Sequence, residues 1–252
     1  MYYSLLTWLE RRIYSSSKVS LAAVSRRTAS LLSQYFHRQD VHVIPNGVDT
    51  AQFSPAGRLA LRDEARSRRK LLENDLVLLL IGNDWHTKGL STVLPAMAAC
   101  PEIPLCLLVA GQDPMARLFR EAARSLGLSE KCRWEATPVD AIELYAAGDV
   151  CVSPSLEDSF GLPVLEAMAC GLPVVTSVNA GVSELIRNGV DGFVLQDPRD
   201  SQALAELLRK LSASAELRNQ IGEAASETAR QWTWDRNAAA VFELLQKACT
   251  PK

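Results

Sequence analysis

Residues 155–177, SLEDSFGLPVLEAMACGLPVVTS, set an acidic pair just before a short helical run and another carboxylate inside it. Pro163 has the position of a first helical residue, where its missing N–H removes no helix bond. The amides of Phe160, Gly161 and Leu162 then precede or open the helix with no partners inside it. Such donors at the positive end of a helix dipole form an anion site, suited to a diphosphate. Glu166, one turn further, lies where the dipole favours its ionised form, and a carboxylate can accept two hydrogen bonds from a vicinal diol such as a ribose. Asp158, eight positions before Glu166, reaches the far side of that diphosphate, where a transferred sugar would sit. Purely structural roles stand beside these: Asp158 as the cap of a turn, Glu166 as a dipole partner only.

Two further loops carry chemistry. In IGNDWHTKGL (81–90), Gly82 and Gly89 permit close backbone approach and Lys88 supplies a point charge for phosphate. A surface lysine at a helix start is the alternative. VAGQDP (109–114) ends on a proline placed to open a helix, which ordinary turn chemistry also explains.

All three loops follow short apolar, β-rich runs. VHVI, LVLLLIG, LCLLVAG, DVCVSPS, PVVTS and GFVL alternate with stretches of helical spacing, the pattern of βαβ units and a parallel sheet covered on both faces. The fold class expected is therefore α/β and Rossmann-like, with ligand loops beyond the carboxyl ends of the strands. Helices are predicted at 90–99, 115–126, 139–147, 163–170, 182–187, 201–211, 215–231 and 235–248. The basic run RDEARSRRK (62–70) reads as the solvated face of a helix leading into the strand at 76.

Bulk composition narrows the function. The 252 residues are 48% hydrophobic and 22% charged with a net charge of −2, so there is ample core and no broad basic field for nucleic acid. Cysteines 100, 106, 132, 151, 170 and 249 form no CxxC pair, and four lie in apolar runs, which reads as buried reduced thiols rather than a disulfide or metal framework. No apolar run approaches a membrane span and no secretory signal order opens the chain, so a cytoplasmic protein is expected.

The acid-x7-Glu stretch DSFGLPVLE with its continuation AMACGLPVV resembles the hallmark of GT-B-fold retaining glycosyltransferases, in particular glycosyltransferase family 4. VIPNGVDTAQF, IGNDWHTKGL, VAGQDP, ELYAAGDVCVSPS, NAGVSELIRNGVDGFVL and the final WTWD are similar to segments of the same family in the same order, from about residue 19 onward. The resemblance implies transfer of a sugar from a nucleotide-sugar donor to an acceptor with retention, in glycan or cell-surface polysaccharide synthesis. It implies that Glu166 binds the ribose, that amides near Gly161 and Leu162 bind the diphosphate beside Gly82 and Asn83, that Lys88 meets the developing negative charge, and that Asp158 meets the donor sugar. No metal and no cofactor is expected, since helix terminus and basic side chains take the metal's place and no DxD motif is present.

Two positions depart from the family pattern. The first acid is usually Glu; Asp158 stands there, with Glu157 beside it as a second candidate. An arginine is common where Asn83 stands, leaving Lys88 with less electrostatic help, which His86 would partly replace.

The resemblance also divides the chain: 1–48 a remnant of an acceptor domain with the interdomain linker, 49–232 the donor-binding Rossmann-like domain, 233–252 a helix packing back toward the first. The remnant's strands near 19–24 and 41–44 lack neighbours, and the amphipathic MYYSLLTWLERRIY is expected to pack on them, with peripheral contact at the inner face of the membrane as its alternative role. Three function classes compete. One is an active enzyme completed by a separate acceptor-domain polypeptide, or by missing sequence. Another is a non-catalytic nucleotide-sugar-binding module or donor subunit. A sugar-nucleotide epimerase fits least, because it too needs the interdomain cleft. Self-association through uncovered faces, including Val241, Leu244 and Leu245, is expected.

Overall fold

The structure, a computed structural model, describes residues 2–136 and 140–249. After helix α1 (Tyr2–Tyr14), strands β1 (Leu21–Ala23) and β2 (Val41–Val43) pair in parallel across α2 (Arg26–Phe36). The larger sheet holds β3 (Leu76–Ile81), β4 (Leu105–Ala110), β5 (Cys132–Glu135), β6 (Val150–Ser153), β7 (Val174–Ser177) and β8 (Phe193–Leu195), all parallel, in the order β5-β4-β3-β6-β7-β8. Strand order reverses between β3 and β6, which opens a crevice at their carboxyl ends. The helices are α3 (Pro55–Arg68), α4 (Leu90–Ala98), α5 (Ala116–Ser125), α6 (Ala141–Ala147), α7 (Leu162–Ala169), α8 (Ser201–Ala213), α9 (Ala215–Ala229) and α10 (Trp234–Cys249). The α/β, Rossmann-like class holds.

The apolar runs are continuous because both faces of the sheet are covered. Val77 and Leu79 face one core with Leu165 and Met168 of α7, while Leu78 and Leu80 face the other with Val93 of α4 and Leu208 of α8. Cys100, Cys106, Cys132, Cys151 and Cys170 are buried free thiols and Cys249 is exposed. No described helix is long and apolar enough to cross a membrane.

Several expectations change. β5, absent from the predicted strands, is an edge strand whose sequence CRWE mixes polar and apolar positions because it is only partly covered. The segment at 182–187 is a 3-10 turn, Gly181–Leu185, rather than an α-helix. The predicted helix start at Val139 lies outside the described residues. The run at 62–70 is solvated on one side, where Asp63, Glu64, Ser67, Arg68 and Lys70 are exposed, but not on the other. Arg66 and Arg69 are buried; Arg66 Nη1 donates to Asp149 Oδ2 (3.1 Å) and Arg62 Nη2 to Asp149 Oδ1 (2.5 Å), while Arg69 pairs with Glu135 (2.6 Å). Arg62 and Arg66 thus tie α3 to the amino end of β6, and Arg69, just after α3, ties to the last residue of β5, an arrangement invisible to a composition reading.

The first 48 residues dock directly against the crevice. Ser25 Oγ and Thr28 Oγ1 both donate to Ser159 O, at 2.9 and 3.2 Å. The Glu184 carboxylate accepts from the amides of Arg26 (2.9 Å) and Arg27 (2.8 Å), satisfying two free donors of the α2 terminus. Asn237 Nδ2 donates to Pro45 O (2.8 Å), so α10 returns to the same region. Apolar side chains remain uncovered there: Leu5, Trp8 and Ile13 on α1, Tyr35 on α2, and Val241, Phe242 and Leu245 on α10 are exposed, and Leu244 is half-buried.

Glu184→Ala is expected to remove about 1 kcal/mol, the typical contribution of a helix N-terminal partner. Urea unfolding measures the loss, and amide exchange at Arg26 and Arg27 should quicken; unchanged exchange at those two amides would refute the clasp.

Candidate functional site

The crevice is floored by small hydroxyl side chains rather than by apolar ones. Thr176 Oγ1 donates to Ser153 O (3.1 Å), Ser177 Oγ to Ser155 O (2.5 Å) and Asn179 Nδ2 to Leu156 O (3.0 Å), so the loop leaving β6 is pinned to β7. Nothing in sequence spacing distinguished these residues from ordinary strand-end polar positions. Leu156 N also donates to Thr87 O (2.8 Å), which joins the loop after β6 to the loop after β3.

Residues 82–89 are held in one shape. Asp84 accepts from Thr87 N and Oγ1, at 3.1 and 2.7 Å. Asn83 Oδ1 accepts from Gln112 N (2.9 Å), fastening the β3 loop to the β4 loop beside Gly82. Gly89 has φ 84°, and a Cβ there would stand 2.2 Å from Pro154 O, so only glycine allows the approach that brings Lys88 over the crevice. Lys88 Nζ lies 2.5 Å from Asp158 Oδ2, both groups largely shielded from solvent. His86 is exposed, its Nδ1 3.4 Å from Ser91 Oγ.

Asp158 serves two ends at once. Its Oδ1 accepts from Phe160 N (3.2 Å), closing a turn, while Oδ2 faces Lys88. The turn-capping role is therefore present, and the second oxygen is engaged by Lys88. Glu157 is exposed, outside the Lys88 pair. Because Phe160 N is used by Asp158, the expected set of three open amides is reduced. Among the described residues the amides of Gly161 and Leu162 carry no hydrogen bond and stay available. Gly161 caps α7 at φ 98°, ψ 55°, a conformation that favours glycine; Pro163 is the second helical residue rather than the first.

Glu166 is corrected further. It is the fifth residue of α7, beyond the first turn, so the dipole does not govern its charge. Burial pushes its carboxyl above the usual glutamate range, opposed by the hydrogen bond from Tyr145 OH, which lies 2.5 Å from Oε2. Tyr145 on α6 is wholly buried, its ring edge-on to Phe53 at 5.6 Å between centroids. Sequence reasoning passed over Tyr145; its only signal was a tyrosine on the apolar face of the helix pattern in ELYAAGDV.

The structure thus brings Lys88, Asp158 and the open amides of Gly161 and Leu162 to one edge of the crevice, with Glu166 one turn along α7 on its own partner. A cation, two amide donors and a carboxylate acceptor suit an extended ligand that is anionic in the middle and hydroxyl-bearing at its ends. No group of three His, Cys, Asp or Glu side chains able to hold a metal occurs among the described residues.

Comparisons with known proteins meet the same region. The family model described as glycosyl transferases group 1 matches residues 62–228. The D-inositol 3-phosphate glycosyltransferase of Salinispora arenicola is 33% identical over 223 residues, covering 82% of this chain and 50% of that protein. The enzyme of the same name from Corynebacterium urealyticum is 28% identical over 253 residues, covering 96% of this chain and 59% of its own length. The chain therefore spans about half to three-fifths of the length of these relatives. Among solved structures, Anabaena Alr3699/HepE in complex with UDP and glucose superposes with a TM-score of 0.83 at 25% identity, over 97% of this chain and 66% of that one. A glycosyltransferase from Rickettsia africae, 22% identical, shares the fold with a TM-score of 0.86 over 96% of this chain and 68% of its own. With the model spanning the crevice and its loops, the chain belongs to the glycosyl transferases group 1 family.

Proposed function

We propose that this chain forms the donor half of a retaining GT-B glycosyltransferase of family 4, binding a nucleotide sugar without a metal ion. The observation that carries the reading is the Lys88–Asp158 pair set against the open amides of Gly161 and Leu162. On this reading the amides hold the diphosphate, and Lys88 offsets the charge that develops on it as the glycosidic bond breaks. Asp158 accepts from hydroxyls of the transferred sugar and Glu166 from the ribose. The Anabaena structures that hold UDP and UDP-glucose make these the first donors to try, and the relatives' names make an inositol phosphate the first acceptor. Its place is the cytoplasm, next to whatever supplies the acceptor.

A second reading, a donor-binding subunit that turns over only with a separate acceptor-domain polypeptide, draws on the two-stranded β1–β2 sheet and the uncovered apolar residues around it. Positioning two substrates in one water-poor cleft needs both walls. Steady-state turnover of UDP-glucose onto inositol phosphate by the chain alone would rule this second reading out.

The donor assignment is tested by calorimetry with UDP and UDP-glucose in excess chelator. Binding is expected to persist without metal. Lys88→Ala should weaken both ligands by roughly tenfold or more, the scale of a charged hydrogen bond. Asp158→Asn releases Lys88 from its carboxylate, so it should bind free UDP as well as or better than the parent chain while losing the preference for UDP-glucose. Glu157→Gln should change neither; if it alone removes that preference, the sugar contact belongs to Glu157. A strict metal requirement would overturn the proposed electrostatics.

Glu166 also couples function to stability. Its carboxyl is raised in the folded chain, so the fold binds that proton more tightly than the unfolded chain does. The associated stabilisation is complete below the ordinary glutamate range and is lost as pH rises through the raised value. Glu166→Gln removes this loss. Urea unfolding should show the variant gaining on the parent as pH rises from the ordinary glutamate range through the raised midpoint; a constant difference across that rise would contradict the buried-carboxylate account.

A further inference from the structure

We propose that Tyr145 is the positioning residue of the ribose-binding carboxylate: its hydroxyl holds Glu166 Oε2 and leaves Oε1 as the one oxygen offered to the nucleotide. The inference rests on the donor reading above and deepens it.

A phenol has one proton to donate. Tyr145 OH has two acceptors in reach, Glu166 Oε2 at 2.5 Å and Pro163 O at 3.2 Å, and the charged and nearer one takes it. Both acceptors lie on α7, the helix whose first residue and cap carry the open amides, so one hydroxyl sets the Glu166 rotamer against the same element that faces the diphosphate. The ring cannot swing away, because it is sealed in the core against Phe53. A carboxylate with one oxygen already engaged is a more demanding receptor than a free one. It presents a single acceptor in a fixed direction, with no rotamer entropy to lose on binding.

The same contacts define what happens when Glu166 takes up a proton. The carboxyl can then donate to the tyrosine oxygen, and the phenol turns its proton to Pro163 O. Both states keep their hydrogen bonds, so protonation proceeds without repacking and removes only the negative charge at Oε1. The other titratable groups around Glu166 are Cys151 on β6 and Cys170 after α7, with Arg58 of α3 donating to the Cys170 carbonyl (2.9 Å). Burial pushes both thiols up to about 12, and burial with the nearby Glu166 charge raises Tyr145 as well, so neither thiol nor the phenol loses its proton before the carboxyl does. Without the hydroxyl, the ionised carboxylate loses its donor and gains rotamer freedom, which moves its titration upward.

Tyr145→Phe keeps the buried ring and removes the hydroxyl. Carbon-detected NMR titration of the Glu166 carboxyl in the ligand-free chain should show a higher midpoint in the variant. Calorimetry near neutral pH should show UDP binding weakened roughly tenfold, its acidic limb moved to higher pH, and 2′,3′-dideoxy-UDP bound alike by both proteins. An unmoved midpoint, or an equal loss for UDP and the dideoxy nucleotide, overturns the positioning role and assigns Tyr145 to the packing of α7 alone. In the wild-type chain, UDP affinity should fall as pH drops through the Glu166 midpoint while that of the dideoxy nucleotide does not. This comparison tests the ribose assignment on which the positioning role rests; if Tyr145→Phe fails to fold, 3-fluorotyrosine placed at position 145, a stronger donor of nearly the same shape, should lower the Glu166 midpoint, and an unmoved midpoint overturns the role. A wild-type chain that binds both nucleotides equally at every pH instead defeats the ribose assignment itself, a failure distinct from one confined to the variant.

Discussion

Burial of β3 and its neighbours on both faces is the constraint from which the other features follow. Val77, Leu78, Leu79 and Leu80 expose no surface, so no charged side chain can leave the sheet through its faces. Charge is confined to the two ends of the strands, and the ends differ. At the amino end, Arg62 and Arg66 close on Asp149, and Arg58 Nε donates to Cys170 O (2.9 Å), so cations sit where helices α6 and α7 terminate. At the carboxyl end, the amides of Gly161 and Leu162 that open α7 have no partner among the described residues, and Lys88, ahead of α4, is already matched to Asp158. The first end is satisfied within the chain; the second leaves donors open.

Much of this was legible in the sequence, for reasons specific to each element. The strands at β3, β4, β6 and β7 announce themselves as unbroken apolar runs because they are covered on both sides. β5 and the 3-10 turn Gly181–Leu185 do not, since an edge strand with Arg133 and Glu135 and a five-residue turn lack any clean period. The spacing of Asp158, Gly161 and Glu166 correctly placed a helix start between two acids. What spacing could not convey is which partner each acid has chosen. Lys88 is 70 residues from Asp158 and Tyr145 is 21 from Glu166, and these contacts exist only once β3, β6 and α6 are assembled. The misreading of the 62–70 arginines has the same origin: a basic run looks solvated until the carboxylate of Asp149 and the carbonyl groups around it are brought to the same place.

The clasp between α2 and the larger domain changes how the first 48 residues are understood. Read alone, β1 and β2 are too short and too few to be stable. Ser25 and Thr28 attach them to Ser159 in the loop that carries Phe160 and Gly161, and the amides of Arg26 and Arg27 attach them to Glu184 of the 3-10 turn. Gly181 permits it, since a Cβ there would stand 2.5 Å from that of Ser25. The β1–α2–β2 segment therefore braces the loop of Ser159, Phe160 and Gly161 from outside, in addition to presenting uncovered apolar residues elsewhere.

The two acids of the crevice divide the electrostatic work unequally. Asp158 is paired with a full cation and a backbone amide, so both of its oxygens already have donors and its charge offsets that of Lys88. Glu166 has only a neutral phenol against the desolvation that raises its carboxyl. On the proposed reading, an arriving diphosphate must draw Lys88 partly away from Asp158, and the carboxylate so released is free to accept from the sugar that follows. Glu166 gains in the opposite way, because ribose hydroxyls supply the donors that burial withheld. Glu166 is short of donors before the ligand arrives, whereas Asp158 becomes short of one only when the diphosphate competes for Lys88. A bare diphosphate takes that lysine without replacing it, and a nucleoside answers only Glu166. The geometry therefore favours the intact nucleotide sugar over either fragment by more than the number of its contacts alone would suggest.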